Sequence, residues 1–255
     1  MSFSADWLST RRDADHRARN SDLARRLKAQ FKNHTNVRVL DLGCGTGANL
    51  AMTSALLPQG QEWTLVDNDP ELLARVPSLE GVQVQTIEAD LAASLEALLA
   101  PGFDLVTASA LFDLAGNAFM DRLISGVTSM RAAFFTVLTY DGVETWEPSH
   151  ASDEAVLSAF HADQNTDKGL GPALGPGATE HLRTGFASAG YSVDVGASPW
   201  RLNQASDSRL IEMLASGIHG AVAPKLGSVA SDWYKARQSA SQVSIGHQDL
   251  LALPA

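Results

Sequence analysis

Asp41, Gly43, Gly45 and Gly47 fall within the run Arg38-Val-Leu-Asp-Leu-Gly-Cys-Gly-Thr-Gly-Ala-Asn49. A carboxylate followed by glycines at alternate positions suits a backbone turn that approaches a polar ligand closely, because glycine has no Cβ to collide and adopts positive φ readily. Such a turn needs a strand before it and a helix after it. Val37, Val39, Leu40 and Leu42 read as a parallel strand buried on both faces, and a helix is expected over residues 46–57. Together they form a cradle for a nucleotide-type cofactor. Gly43, Gly45 and Ala48 fit G-x-G-x-x-G/A, and Asp67 stands roughly 20 residues further on, where an acid meets ribose hydroxyls. Asp41 would repel a pyrophosphate and suits a cofactor that carries positive charge.

The string Val39-Leu-Asp-Leu-Gly-Cys-Gly-Thr-Gly47 closely resembles motif I of the class I methyltransferases that use S-adenosylmethionine (SAM), and the resemblance covers residues 36–140 in the family's order. It implies that Asp41, Gly43, Cys44, Gly45 and Gly47 wrap the methionine part of SAM. It implies that Asp67, ending the strand Glu62-Trp-Thr-Leu-Val-Asp67, accepts from both ribose hydroxyls with Asn68 beside it. After a third strand over 82–87, Asp90 would accept from the adenine amine while Leu91 packs on the ring. Either acid can instead serve only as a helix N-cap. A fourth strand, Phe103 to Ser109, ends where the family places methyl transfer, so Ser109 joins the cofactor set.

Length and charge bound the class. The 255 residues, 45% of them hydrophobic, suffice for one α/β domain with appendages over 1–255. A signal core and an apolar stretch of about 18 residues are both missing, and the single Cys44 excludes an intramolecular disulfide framework; a cytoplasmic protein without membrane contact is expected. Cys44 reads as a small side chain fitted to the turn. A net charge of −10 disfavours nucleic acid as partner. Residues 1–35 stand apart, with eight Arg or Lys against four Asp, a net +4 that leaves −14 for the rest. In this N-terminal helical arm Leu23, Ala24, Leu27 and Phe31 recur at helical spacing, and Asp22 and Arg26 are expected to pair. Upstream, the family often has an arm folding over the cofactor, so Arg11 or Arg19 is expected to bind its carboxylate; a solvated basic helix is the other reading.

The acceptor side is less conventional. After the fourth strand comes Ser109-Ala-Leu-Phe-Asp113-Leu, without the Asn/Asp-Pro-Pro-aromatic loop of the family's amino-methylating enzymes. Asp113 is a candidate general base or substrate holder, or else the cap of a helix starting near Ala115. A fifth strand over 132–140 precedes an insertion, 141–177, far longer than the roughly 2–6 residues of ordinary links. It reads as a substrate cap. Tyr140, His150 and His161 are candidate catalytic groups, Trp146 an aromatic wall, and Lys168 a partner for an acidic group. His150, His161, Asp163 and His181 match no metal-ligand spacing, so no metal is expected.

Residues 178–255 complete the fold that the resemblance implies: a three-layer α/β sandwich on a seven-stranded, mostly parallel sheet of order 3-2-1-4-5-7-6, strand 7 antiparallel. Helices are expected over 206–220 and 231–240, and the last strand over 242–252. Trp200 and Arg201 leave the sixth strand toward the site. The expected function is methyl transfer to oxygen or nitrogen of a small methyl acceptor, acidic or aromatic. An NAD(P)-dependent oxidoreductase and a non-catalytic SAM-fold subunit are the alternatives. The sequence is silent on oligomeric state.

Overall fold

The structure, a computed structural model, describes residues 3–255. Two helices lead in, α1 (Ala5–Ala18) and α2 (Ser21–Phe31), then β1 (Val37–Leu42) and α3 (Ala48–Thr53). There follow β2 (Gln61–Asp67), α4 (Pro70–Leu73), β3 (Val82–Glu88), α5 (Leu91–Leu99), β4 (Leu105–Ser109), α6 (Asn117–Ser129) and β5 (Ala133–Glu147). The chain ends with α7 (Asp153–Gln164), α8 (Ala178–Ser188), β6 (Tyr191–Ala197), β7 (Trp200–Asn203), α9 (Gln204–Leu226), α10 (Ser228–Arg237) and β8 (Gln242–Pro254).

Alternation along the buried strands builds two of the layers. Leu40, Leu42, Val106 and Phe134 face α5, α6 and α8, whereas Val37, Val39, Leu105 and Phe135 face the side covered by α2 and α3. The sheet order is β3-β2-β1-β4-β5-β8-β6, with β8 antiparallel to both neighbours, as expected for the last strand. One strand was not expected: β7 pairs only with β8, as an extra edge.

The fifth strand departs most from expectation. It does not stop at Tyr140 but continues to Glu147, pairing with β8 through two register shifts, so residues 141–147 are sheet and not cap. One shift falls at Leu138, whose φ of 59° lies in the left-handed region; its amide donates to Asp249 Oδ1 at 2.9 Å. Asp249 Oδ2 also accepts from the Asn20 amide at the entry to α2. One buried carboxylate thus ties the arm to the bulge. The extended β5, β7 and β8 strands, roofed by α1, α7, α9 and α10, enclose a third apolar cluster around Trp146, Trp200, Ile211 and Trp233. The cap is therefore assembled from separate stretches of chain.

Helix ends follow local chemistry. Asn20 caps α2, Asp69 caps α4 and Asp90 caps α5 through side-chain bonds to backbone amides. The helix expected over 46–57 is α3 plus a 3-10 turn at Ser54–Leu56, preceded by Gly47 at φ 78°. Leu23, Leu27 and Phe31 of α2 are buried as their spacing implies, but Asp22 pairs with Arg25, and Arg26 reaches across to Asp194 instead. Among the described residues no helix is long and apolar enough to cross a membrane.

Candidate active site

Two cavities adjoin at the carboxyl ends of β1 and β4. The first, about 260 Å³, runs over the glycine turn and is bordered by Asp67, Asn68, Asp90 and Leu91. Gly43 (φ 64°) and Gly45 (φ 53°) form its floor, and a Cβ on Gly45 would lie 2.9 Å from Leu8 Cδ1 of α1. The turn is therefore sandwiched closely between sheet and arm. Asp67 is held ready at the end of β2: its Oδ2 accepts from the Gly45 amide at 2.8 Å and its Oδ1 from the Asp69 amide at 3.1 Å. Asp90 spends one oxygen on the Ala92 amide, at 2.9 Å, while bordering the cavity, so capping and site placement coexist. Cys44 and Ser109 also line it; burial pushes the Cys44 thiol pKa up, which removes it as a nucleophile.

Asp41 lies behind this wall. It is fully buried, and Asn49, which does line the cavity, donates to its Oδ1 at 2.8 Å. Its Oδ2 has no partner, and burial pushes its pKa up to about 7 against the Asn49 bond and the Arg19 charge. Arg19 is likewise not at the cavity. Its guanidinium donates to Asn49 Oδ1 at 2.8 Å and Thr53 Oγ1 at 2.9 Å, so the expected direct contact with a cofactor carboxylate is replaced by a brace on Asn49. The reason is the break between α1 and α2, which turns Arg19 inward. Arg11 does reach both cavities, its Nε held by Asp15 at 2.9 Å and its guanidinium 5.0 Å from the Trp200 ring centre.

The second cavity, about 370 Å³, is walled by Trp7, Leu138, Phe160, Trp200 and the α9 face bearing Met213 and Ile218. Phe3, Arg11, Ala110, Leu114 and Lys168 border both cavities and mark the seam. Asp113 sits beside that seam in the 3-10 turn Phe112–Leu114 and opens on the second cavity. It caps no helix, since α6 starts two residues beyond Ala115 with Gly116 as its N-cap. Asp113 is buried, its Oδ1 has no partner, and burial raises its pKa to about 6 despite Arg11 and the Tyr140 amide.

The other expected acceptor-side residues divide. Tyr140 lines the second cavity, but its hydroxyl donates to Glu144 Oε1 at 2.9 Å, and burial together with that carboxylate drives its pKa up, so it is no base. His161 lies behind Tyr140, Nε2 at 3.1 Å from that hydroxyl, and lines neither cavity; burial lowers its pKa. His150 belongs to the turn before α7, its Nδ1 accepting from the Ser152 amide, and is also remote. Trp146 points into the third apolar cluster against Trp233, because β5 continues as a strand and alternation sends it there. Lys168 is at the seam but paired with Asp163 at 2.8 Å, so no free cation awaits an acidic acceptor there. Trp200 lines the cavity; Arg201, one position along the same strand, faces out.

Several residues escaped sequence reasoning. Glu144 stands on a strand extension that was not anticipated, His247 lies within the expected last strand but was not singled out, and the α9 face had no polar marker at all. The only available signal for Glu144 was alternation with Tyr140 and Trp146, legible once β5 is known to continue.

The first cavity fits an adenosyl cofactor better than a dinucleotide. The amides of Cys44, Gly45 and Gly47 are already donated to Val66 O, Asp67 Oδ2 and Cys44 O, so three donors a pyrophosphate would use are committed. The unpartnered Asp41 oxygen lies behind the turn, where the ionised carboxylate would complement an ammonium or sulfonium group. Fold and cradle together define the class of Rossmann-like proteins that bind SAM. Residues 39–130 match the family described as Methyltransferase domain. No curated protein matches the sequence. Among solved structures, the chain is similar to the cyclopropane synthase MmaA2 from Mycobacterium tuberculosis (TM-score 0.53, 13% identity, 98% of this chain and 94% of that one). It is similar in fold to the YcgJ protein from Bacillus subtilis (0.53, 13%, 92% and 99%). A third likeness is to a cyclopropane-fatty-acyl-phospholipid synthase-like protein from Lactobacillus casei (0.53, 12%, 98% and 100%). Over residues 39–130 the chain thus matches a methyltransferase domain, and its fold is the Rossmann-like one of SAM-dependent methyltransferases.

Proposed function

We propose that the protein transfers the methyl group of SAM to an oxygen or nitrogen of a small, largely apolar or aromatic molecule held in the second cavity. The observation that carries this reading is Asp113: a buried carboxylate with one unpartnered oxygen, beside the seam between the two cavities. SAM supplies an electrophilic methyl carbon; the acceptor's lone pair forms the new bond as the carbon–sulfur pair leaves with S-adenosylhomocysteine (SAH). The residues of this chain hold and align. Gly43, Gly45, Asn49 and Arg11 would bind the methionine end, Asp67 and Asn68 the ribose, and Asp90 and Leu91 the adenine. Asp113 takes the acceptor's proton at its free Oδ1, and a pKa of about 6 suits a base that works near neutrality. Trp7, Phe160, Trp200 and α9 exclude water and orient the acceptor, which supplies much of the rate in a single displacement. A cavity of this size supports a small acceptor over a polymer, and the net charge of −10 supports the same choice against nucleic acid. The lone cysteine supports a cytoplasmic setting.

The test is SAH release from SAM with a panel of phenols and amines, for the native enzyme and Asp113→Asn. The expected result is a kcat/KM that rises with pH through about 6 and a variant that loses both that rise and roughly 10²- to 10⁴-fold in turnover while keeping SAH affinity. A variant that turns over normally, or that no longer binds SAH, removes Asp113 from this role.

A further inference from the structure

The charged groups facing the second cavity do not balance. Its cations are Arg11 and Lys168, and each has a carboxylate of its own: Arg11 Nε lies 2.9 Å from Asp15, and Lys168 Nζ lies 2.8 Å from Asp163. His247 also faces the cavity, but burial and Arg11 lower its pKa to about 3, so it is neutral, and its Nδ1 has no partner. Among the described residues the two remaining carboxylates, Asp113 and Glu144, form no salt bridge, and of the two only Asp113 feels the Arg11 charge.

Glu144 is unlike Asp113 in its surroundings. It stands on the β5 extension, outside the set of residues shared with the cofactor cavity, and its two oxygens are fixed by Tyr140 Oη at 2.9 Å and Trp146 Nε1 at 3.2 Å. His161 braces the tyrosine from behind. Each carboxylate oxygen therefore keeps a lone pair, and neither donor is a cation. Holding a partly buried carboxylate against a mostly apolar wall with only neutral donors is unfavourable unless a positive partner arrives. Met213, Ile218, Phe160 and Trp200 around it give an apolar body somewhere to lie.

We propose that Glu144 is a specificity-determining residue that binds an ammonium group of the acceptor, so that the substrate class is an apolar or aromatic amine whose methylated atom lies apart from that group, at Asp113. This deepens the methyl-transfer reading and rests on it. It also reverses the expectation of an acidic acceptor, which relied on a Lys168 that the fold has paired.

Three probes that share a phenylethyl body test it by calorimetry on the full chain saturated with SAH: 2-phenylethylamine, 2-phenylethanol and 3-phenylpropionate, with the native protein and with Glu144→Gln. SAH is titrated first, so that failure of the cofactor reading shows before any probe is added. The expected result is at least tenfold tighter binding of the amine than of the alcohol or the acid. In Glu144→Gln the preference falls to within about threefold at unchanged SAH affinity. Glu144→Asp, which keeps the charge, retains a preference for the amine and guards against a packing effect. Tightest binding by the acid, binding of none of the three, or an amine preference that survives Glu144→Gln overturns the proposal.

Discussion

Asp113 is held in a state that the fold opposes, and its replacement makes that opposition measurable. Its folded pKa of about 6 exceeds the unfolded value of 3.8, so the ionised form is disfavoured in the native state. Its contribution to stability is therefore full below pH 3.8 and is lost as pH rises through about 6. Asp113→Asn is expected to match the native protein at pH 4 and to exceed it at pH 8 by up to about 3 kcal/mol in urea unfolding, two pKa units' worth of ionisation. Equal stability of the two at pH 8 would mean that the carboxylate is solvated in the native state. Asp67 differs, because both its oxygens anchor backbone amides of the cradle. Asp67→Ala is expected to weaken SAH binding roughly 10- to 100-fold by titration, the worth of one charged hydrogen bond. The place of Asp67 at the edge of the cavity was legible in the sequence, because an acid that ends the strand after the glycine turn must lie beside that turn. Arg19 was not. Nothing in its residue type distinguishes it from Arg11, and only the chain break after α1 sends one into Asn49 and the other to the cavities.

At the level of elements, α1 and the stretch around Lys168 cover the cofactor cavity: Leu8, Arg11 and Asp15 from the first, Lys168, Gly169 and Leu170 from the second. SAH binding is expected to slow amide exchange in both segments by about tenfold or more while leaving β6 and α8 unchanged, since neither touches the cavity. Uniform protection over the whole chain would point to global stabilisation instead. The helices and strands that carry one clear stripe were readable beforehand. α2 is the best case, its Leu23, Leu27 and Phe31 lying at helical spacing on one face. The extension of β5 and the short β7 were not, for a physical reason. Gly142 and the bulge at Leu138 break the alternation that marks a strand, and a four-residue edge strand has pairing only through β8, which no local pattern reveals.

For the whole molecule, the site is where two lobes of the same sheet meet. The parallel half supplies the cradle, the antiparallel extension of β5, β7 and β8 supplies the acceptor cavity, and α1 crosses both. Asp41, fully buried with its pKa at about 7, adds to the loss of stability as pH rises from about 4 to 7, whereas His247 acts in the opposite sense. Its folded value of about 3 lies below the unfolded 6.5, so its contribution is full above 6.5 and fades as pH falls below it. His247→Gln is accordingly expected to steepen the fall in thermal midpoint between pH 4 and 7. A shallower fall would show that the imidazole is charged in the native state.

The central claim is that the glycine cradle holds an adenosyl cofactor and no dinucleotide. Calorimetric titration of the ligand-free protein with SAH, SAM and NAD(P) in parallel tests it directly. Micromolar binding of SAH and SAM with no heat from NAD(P) is the expected result; binding of NAD(P) with no response to SAH would contradict the account, including the meaning given to Asp41 and the committed amides of the turn.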